Sequence, residues 1–532
     1  MIMLQKLNKT SIASIFIVML IVACFLPSIS GFSDNLLIPK WIAAIFALLF
    51  ILVLNLGFWL TGLKINFDFV QICMFLSILG GVESLYAVAI QFWDISFDQR
   101  GISGTFDNPA GLACCLLILL PFSWYGVASG KLVRSVRIVC IACMFFMCSA
   151  IVLTNSRTGI ICLILYFVCW PLRLLIRNAF ILLVSTIVLS FFVILYVATT
   201  KQSSSSGRYF IVERTIDMIS KHPFEGYGYG GFRKHYMKEQ ESYFRQGICN
   251  RYAYLADDVR HPLNEFLLLW VNYGILGPVF LIFVFIVPWI VAFKRNDKIL
   301  YVFSTASIPV IIFSIFSYPF KYPLCLIVCI CSWLLILKNS RVRNLICRYK
   351  TAFCIVSYSF IFLLSVYVVR YAYWDRKWSK AYLLSAKGRY AESMALYDRL
   401  YPVMSDNPHF LYNCASSRYS CGLLTGAAEA AKECSKFMAS YNLELLTGDI
   451  CRMSEDYVNA ERHYTSASYM CPSRFAPLYG LFYTYVALGD TVHALQIADS
   501  VSSKPVKTHS ADVDFMKSDI SNWVRQNTIS NK

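Results

Sequence analysis

The run "DDVRHPLNEFLLLWVNYGILG", Asp257 to Gly277, decides how the chain is read. Two acids, an arginine and a histidine lead within a few residues into an apolar helix. Polar groups at the mouth of a hydrophobic segment are costly unless they face a cavity or an aqueous interface. Pro262 holds His261 extended, so positions 261 and 263 face one side. Asn264 starts the helix and can cap it. Taken alone, His261 reads as a solvated loop histidine. Its weight comes from what surrounds it in the rest of the chain.

The chain has 532 residues, of which 58% are apolar, 16% aromatic and 15% charged. A soluble domain carries about 25% charged residues. Here the charges cluster between long apolar runs, and runs of roughly 20 such residues are what a helix needs to cross a bilayer. The composition predicts an integral membrane protein. The net charge of +17 sits largely in short loops between spans. Orientation and anionic lipid account for it, so no nucleic acid is expected. The first apolar run lacks a cleavage site and reads as a span, not a removed signal. Most of the 20 cysteines lie inside apolar runs and act as small hydrophobes.

About eleven spans are expected, near 11–30, 38–60, 68–92, 108–128, 136–154, 158–175, 179–199, 264–293, 299–318, 322–337 and 351–370. The eighth is too long for one straight helix. It reads as a short piece, a break at Gly277-Pro278, then the true span. The basic loops at 131–137, 173–178, 294–298 and 338–350 all fall on the cytoplasmic side if the chain starts inside. The long loop 200–262, the "SRTG" segment, the "DQRGISGTFDN" segment and the C-terminal region then lie on the outer face. In a Gram-negative cell that face is the periplasm, and the membrane is the inner one.

Beyond Arg370 the composition becomes that of a soluble helical domain. Tyr457 aligns with Thr491, Ala460 with Ala494 and Ala467 with Val501, each pair 34 residues apart. "GRYAESMALYDRL" begins a similar unit at Gly388. This pattern resembles tetratricopeptide repeats. The fold expected is all-α: a polytopic membrane bundle over 1–375, carrying the loop 200–262, then a soluble α-solenoid over 376–532.

Three polar clusters converge on the outer face by topology. "TFDNPA" enters the fourth span and contains Asn108. "LTNSRTG" contains Arg157, a charge beside a span that is either functional or snorkelling to the interface. The long loop supplies Arg208 and Arg214, six apart in an amphipathic helix that could also bind anionic lipid. It also supplies "PFEGYGYGGF" at 223–232 and "HPLNEFLLLWVNYGILG" at 261–277. "GYGYGG" follows a helix and not a strand, so it is read as a tight turn folding the loop back on the membrane, not as a dinucleotide loop.

In this order the motifs resemble the O-antigen ligase and O-antigen polymerase superfamily, which includes protein O-oligosaccharyltransferases. The resemblance runs over about residues 70–320 and rests on "GTFDNPA", "SRTG", the arginine-led loop helix, "PFEGYGYGGF" and "HPLNEFLLLWVNYGILG". Members with C-terminal tetratricopeptide repeats are known. The family usually has a histidine directly before the asparagine. Here that position is Leu263, and His261 stands two residues earlier.

The resemblance implies transfer of glycan from an undecaprenyl-diphosphate donor to an acceptor hydroxyl on lipid A-core, another glycan or a protein. The leaving diphosphate is a multiply charged anion, which arginines grip bidentately without a metal. No acidic cluster has metal spacing, and no cofactor is expected. Arg157 and Arg208 are the candidate diphosphate clamp, with Arg214 and Asn108 as further binding residues. His261 is the candidate base or acceptor ligand, oriented by Asn264 and Glu265. The repeats would offer a surface to a protein partner. Two other classes stay open: a polyprenyl-linked glycan flippase or transporter, and a non-catalytic assembly scaffold in which Leu263 marks a dead site.

Overall fold

The computed structural model describes residues 19–60, 68–93, 101–175, 202–247, 252–338 and 348–529. The expected span at 179–199, most of that at 11–30, and parts of the basic loops at 173–178 and 338–350 lie outside these residues. Among the described residues every regular element is helical. The chain divides into two compact units. One comprises residues 1–200 and 279–376, the other 201–278 and 377–532.

The first unit is built around the helix Pro109–Ala128, which is apolar on all sides. Such a helix is stable only when surrounded. It is buried without a break from Gly111 to Ser123. Around it pack Phe69–Trp93, Arg134–Leu153, Arg157–Leu175, Lys298–Ala306, Ile308–Phe316 and Pro323–Lys338. Six helical segments among the described residues are long and apolar enough to cross a membrane: Phe69–Phe92, Pro109–Ala128, Arg134–Leu153, Leu276–Arg295, Lys298–Phe316 and Lys350–Ala386. Shorter apolar helices run at Ile38–Leu54, Arg157–Phe167 and Pro323–Leu337.

Two boundaries differ from the expected ones. The short helix Glu265–Tyr273 ends at Gly274, whose φ of 63° only glycine adopts readily. The next helix, Leu276–Arg295, contains Pro278 in its first turn, where the missing N–H removes no helical bond. The break therefore precedes Gly277-Pro278. The last membrane helix does not stop near Arg370 but runs for 37 residues, Lys350–Ala386, through the change in composition. Near its far end Asp375 is fully buried and accepts from the Ser33 N–H at 2.9 Å and the Ser33 hydroxyl at 2.5 Å.

The second unit joins the loop to the C-terminal helices. Three loop helices, Gln202–Lys221, Gly231–Arg245 and Glu265–Tyr273, pack on one another. The C-terminal helices follow in sequence, each against the next, from Tyr390–Met404 to Ala511–Ile529. Asp456 and Asp490, 34 residues apart, each cap a helix by accepting the N–H three residues on. Four positions inside those two helices match in burial: Ala460, Ala467 and Ala494 at 0% exposure and Val501 at 2%. Tyr464 fills the gap between helices and lies where a Cβ at Gly448 or Gly480 would strike it. A single apolar core holds loop and C-terminal helices together: Met218, Phe232, Tyr236, Met237 and Val271 from the loop meet Tyr441, Ala467, Met470 and Cys471.

Candidate functional site

In the second unit the segment 256–264 is irregular and carries His261 to the start of a helix. Asn264 caps that helix, its side-chain oxygen accepting the Leu267 N–H at 3.0 Å. The approach to the cap is not extended. Leu263 has φ of +55°. Side chains 261 and 263 therefore do not alternate as on a strand, and the expectation that they share one side by pleat is corrected. The turn is closed by His261, whose Nδ1 accepts the Leu263 N–H at 2.9 Å. This bond fixes the tautomer, since an accepting Nδ1 leaves the proton on Nε2. Nε2 faces the Glu265 carboxylate at 3.9 Å. Glu265 is 6% exposed.

The same segment is clamped from the loop helix Gly231–Arg245 and from the C-terminal helices. Gln240, fully buried, donates through Nε2 to the Asp257 carbonyl at 3.1 Å and to the Met470 carbonyl at 2.6 Å. Arg474 reaches the Asp257 carboxylate at 2.8 Å. Burial works against that charge, but Arg474 and the Asp258 N–H outweigh it and hold the carboxyl below its ordinary range. Asp258 accepts the Tyr441 N–H at 3.3 Å at the start of helix Tyr441–Met453. Its carboxyl is pushed up by burial. The ladder continues through Glu241, which accepts from Ser466 at 2.7 Å, and through Lys238 to Glu444 at 2.7 Å.

Arg208 and Arg214 lie on one helix, Gln202–Lys221, but in different surroundings. Arg208 is exposed. Arg214 is 9% exposed, paired with Glu213 at 2.5 Å and Asp217 at 2.7 Å, and stacked 4.2 Å over the Tyr243 ring. Two carboxylates already neutralise it, so it braces the helix. The helix packs directly on Glu265–Tyr273. Two cations not singled out by sequence reasoning belong to this unit as well. Arg260, beside His261, lies 3.6 Å from Asp258. Burial, with the charges of Arg233 and Arg260, pushes the His409 imidazole down to about 4. Arg260 could have been flagged from its place in "DDVRHP"; Arg233 gives no local signal.

In the first unit Asn108 is an N-cap, its oxygen accepting the Gly111 N–H at 2.8 Å. Its amide donates to the Tyr322 hydroxyl at 2.8 Å. Asp107 pairs with Lys321 at 2.6 Å and accepts from Tyr322 at 2.7 Å. Burial opposes the charge, but those two partners hold the Asp107 carboxyl below its ordinary range. Thr105 bridges two buried charges, accepting from Lys40 at its carbonyl at 2.6 Å and donating through N–H to Glu83 at 2.9 Å. The "GTFDN" segment is thus locked at both ends. Two residues before it the chain touches the turn before Arg157: the Ile102 N–H donates to the Leu153 carbonyl at 3.4 Å. Arg157 is half-buried at the first position of its helix, where Ser156 caps Gly159 at 3.2 Å. Its positive charge adds to the positive end of the helix dipole. Among the described residues no group of three His, Cys, Asp or Glu could hold a metal.

This is the arrangement of a polytopic membrane protein whose polar chemistry gathers at one loop and at helix starts. Comparison with protein families makes the class more specific. The O-antigen ligase family model matches residues 142–284. That span runs from the helix before Arg157 to the helix after Gly274, and contains Arg157, Arg208, Arg214, His261, Asn264 and Glu265; Asn108 lies outside it. The match supports the O-antigen ligase superfamily and, with it, membrane glycosyl transfer of the ligase or polymerase kind. No curated protein matches the chain.

Proposed function

We propose that the chain is an inner-membrane glycosyltransferase that moves glycan from an undecaprenyl-diphosphate donor to an acceptor hydroxyl on the periplasmic side. The observation that carries this reading is the His261–Glu265 pair, 3.9 Å apart at a capped helix start inside the matched segment. The acceptor oxygen attacks the anomeric carbon. The bond from that carbon to the diphosphate oxygen breaks, and the electron pair leaves with the diphosphate. With Nδ1 committed to the Leu263 N–H, His261 turns Nε2–H toward the Glu265 carboxylate, which takes the acceptor proton. Arg208, on the loop helix that packs on Glu265–Tyr273, takes up the diphosphate charge. The C-terminal helices are tetratricopeptide-like repeats, supported by the 34-residue recurrence of caps and buried alanines. Their surface serves a protein partner or acceptor.

The test is transfer by the purified full chain in proteoliposomes, with undecaprenyl-diphosphate glycan as donor and lipid A-core, glycan or glycoprotein acceptors offered in turn. Product with one acceptor, lost in Glu265→Gln, supports the reading. Donor translocated without product would make the protein a flippase. Neither outcome, with a partner protein still bound, would leave a scaffold.

A further inference from the structure

The helix Leu276–Arg295 is long and apolar enough to cross a membrane, and its first residues belong to the second unit. The turn 223–230 is fastened to that point. The Ile275 N–H donates to the Pro223 carbonyl at 3.0 Å, and the Tyr227 N–H to the Val271 carbonyl at 2.7 Å. The Trp270 ring N–H reaches the same Pro223 carbonyl at 3.0 Å. The approach requires glycine on both sides: a Cβ on Gly274 would overlap the Phe224 carbonyl, and one on Gly226 would lie 2.6 Å from the Gly274 nitrogen. The turn cannot swing away from the start of the span without breaking these bonds.

From this fixed joint four large apolar or aromatic side chains project outward. Tyr229 is 93% exposed, Phe224 75%, Leu276 72% and Tyr273 45%. None of the four belongs to the core of ten buried residues nearby. Aromatic rings with one polar edge favour the membrane–water boundary. We propose that Phe224, Tyr229, Tyr273 and Leu276 form a foot that sits in the headgroup layer of the leaflet where the helix Leu276–Arg295 begins. The partner of this surface is the lipid bilayer itself. Continuity with the span carries the choice, since Leu276 belongs both to the patch and to the membrane helix. Such side chains enter about 5–10 Å below the headgroups. The foot sets the height of the loop, and with it that of the His261 segment, because helix Glu265–Tyr273 joins the two. The inference needs the span at Leu276 and not the transfer reaction.

The experiment uses the full chain in vesicles of phosphatidylethanolamine and phosphatidylglycerol. A dansyl amino acid is encoded in place of Phe224 or Tyr229, and in place of Phe515, a 61% exposed residue of the helix Ala511–Ile529, as control. Lipids spin-labelled near the headgroup should quench positions 224 and 229 several-fold more than 515, with blue-shifted emission at the first two. Aqueous iodide should show the reverse order. Equal quenching at all three positions by either agent would overturn the foot. Tyr229 makes so little contact that its replacement leaves the fold intact, and the readout is independent of whether any acceptor is glycosylated.

Discussion

Leu263 holds a backbone conformation that costs a β- or γ-carbon side chain about 1–2 kcal/mol, and one side-chain bond from His261 keeps it there. That bond gives His261 two tasks, closing the turn and facing Glu265. Glu265→Gln should lower the transfer rate by about 10²–10⁴-fold with the fold unchanged, the range general-base groups supply. Leu263→Gly should transfer at close to the wild-type rate, because glycine adopts the same φ freely. The two arginines of the loop helix should separate. Arg214→Met strips the partly exposed Glu213 and Asp217 of their partner and should destabilise the loop by up to about 1 kcal/mol, read as faster hydrogen exchange over 206–221. Arg208→Ala should cost roughly 2–5 kcal/mol in transfer, and Arg208→Lys should recover little of it. His409 gives a pH signature. Its folded value of about 4 lies below the ordinary histidine value, so the unfolded chain binds more protons between the two. Stability therefore falls as pH drops from about 6.5 to about 4. His409→Asn should flatten that part of the thermal-unfolding profile.

Among the elements, the helix Gly231–Arg245 ties the loop to the C-terminal helices within the second unit. One face enters the apolar core through Phe232, Tyr236 and Met237, and Gln240 donates to two carbonyls from segments 213 residues apart, Asp257 and Met470. Gln240→Leu keeps the volume and removes both bonds. Each buried carbonyl left without a donor costs about 1–3 kcal/mol. The expected result is faster exchange over 256–264 and a fall in the turnover rate with donor binding retained. A fall in binding alone would mean that Gln240 does not position the His261 segment.

For the whole molecule, the loop keeps a small core of its own around Phe210, Tyr252 and Ala256 but shares its larger one. Its Met218, Phe232, Tyr236, Met237 and Val271 are closed over by Tyr441, Ala467, Met470 and Cys471. A chain ending at Arg376 should insert its membrane helices normally and lose transfer. Its loop should be cut by added protease under conditions in which the full chain resists. If that shortened chain still transfers glycan, the C-terminal helices serve recruitment only.

Sequence alone settled what is local. Apolar runs give helices because a span must satisfy its own backbone bonds. The cap at Asn264 follows from a side chain that reaches an N–H three residues on. The 34-residue recurrence paired Ala460 with Ala494 and Ala467 with Val501, and all four are buried. What it could not decide depends on partners remote in the chain or on a single dihedral. Pro262 argued for an extended approach, but the bond from Leu263 to His261 bent it. Arg208 and Arg214 read alike, and only packing against Tyr243 turned one into a brace. The largest gap is the joining of 201–278 to 377–532 in one unit. Two amphipathic segments each show an apolar face in sequence, but which face meets which is fixed by shape and by buried hydrogen bonds, and neither leaves a periodicity to read.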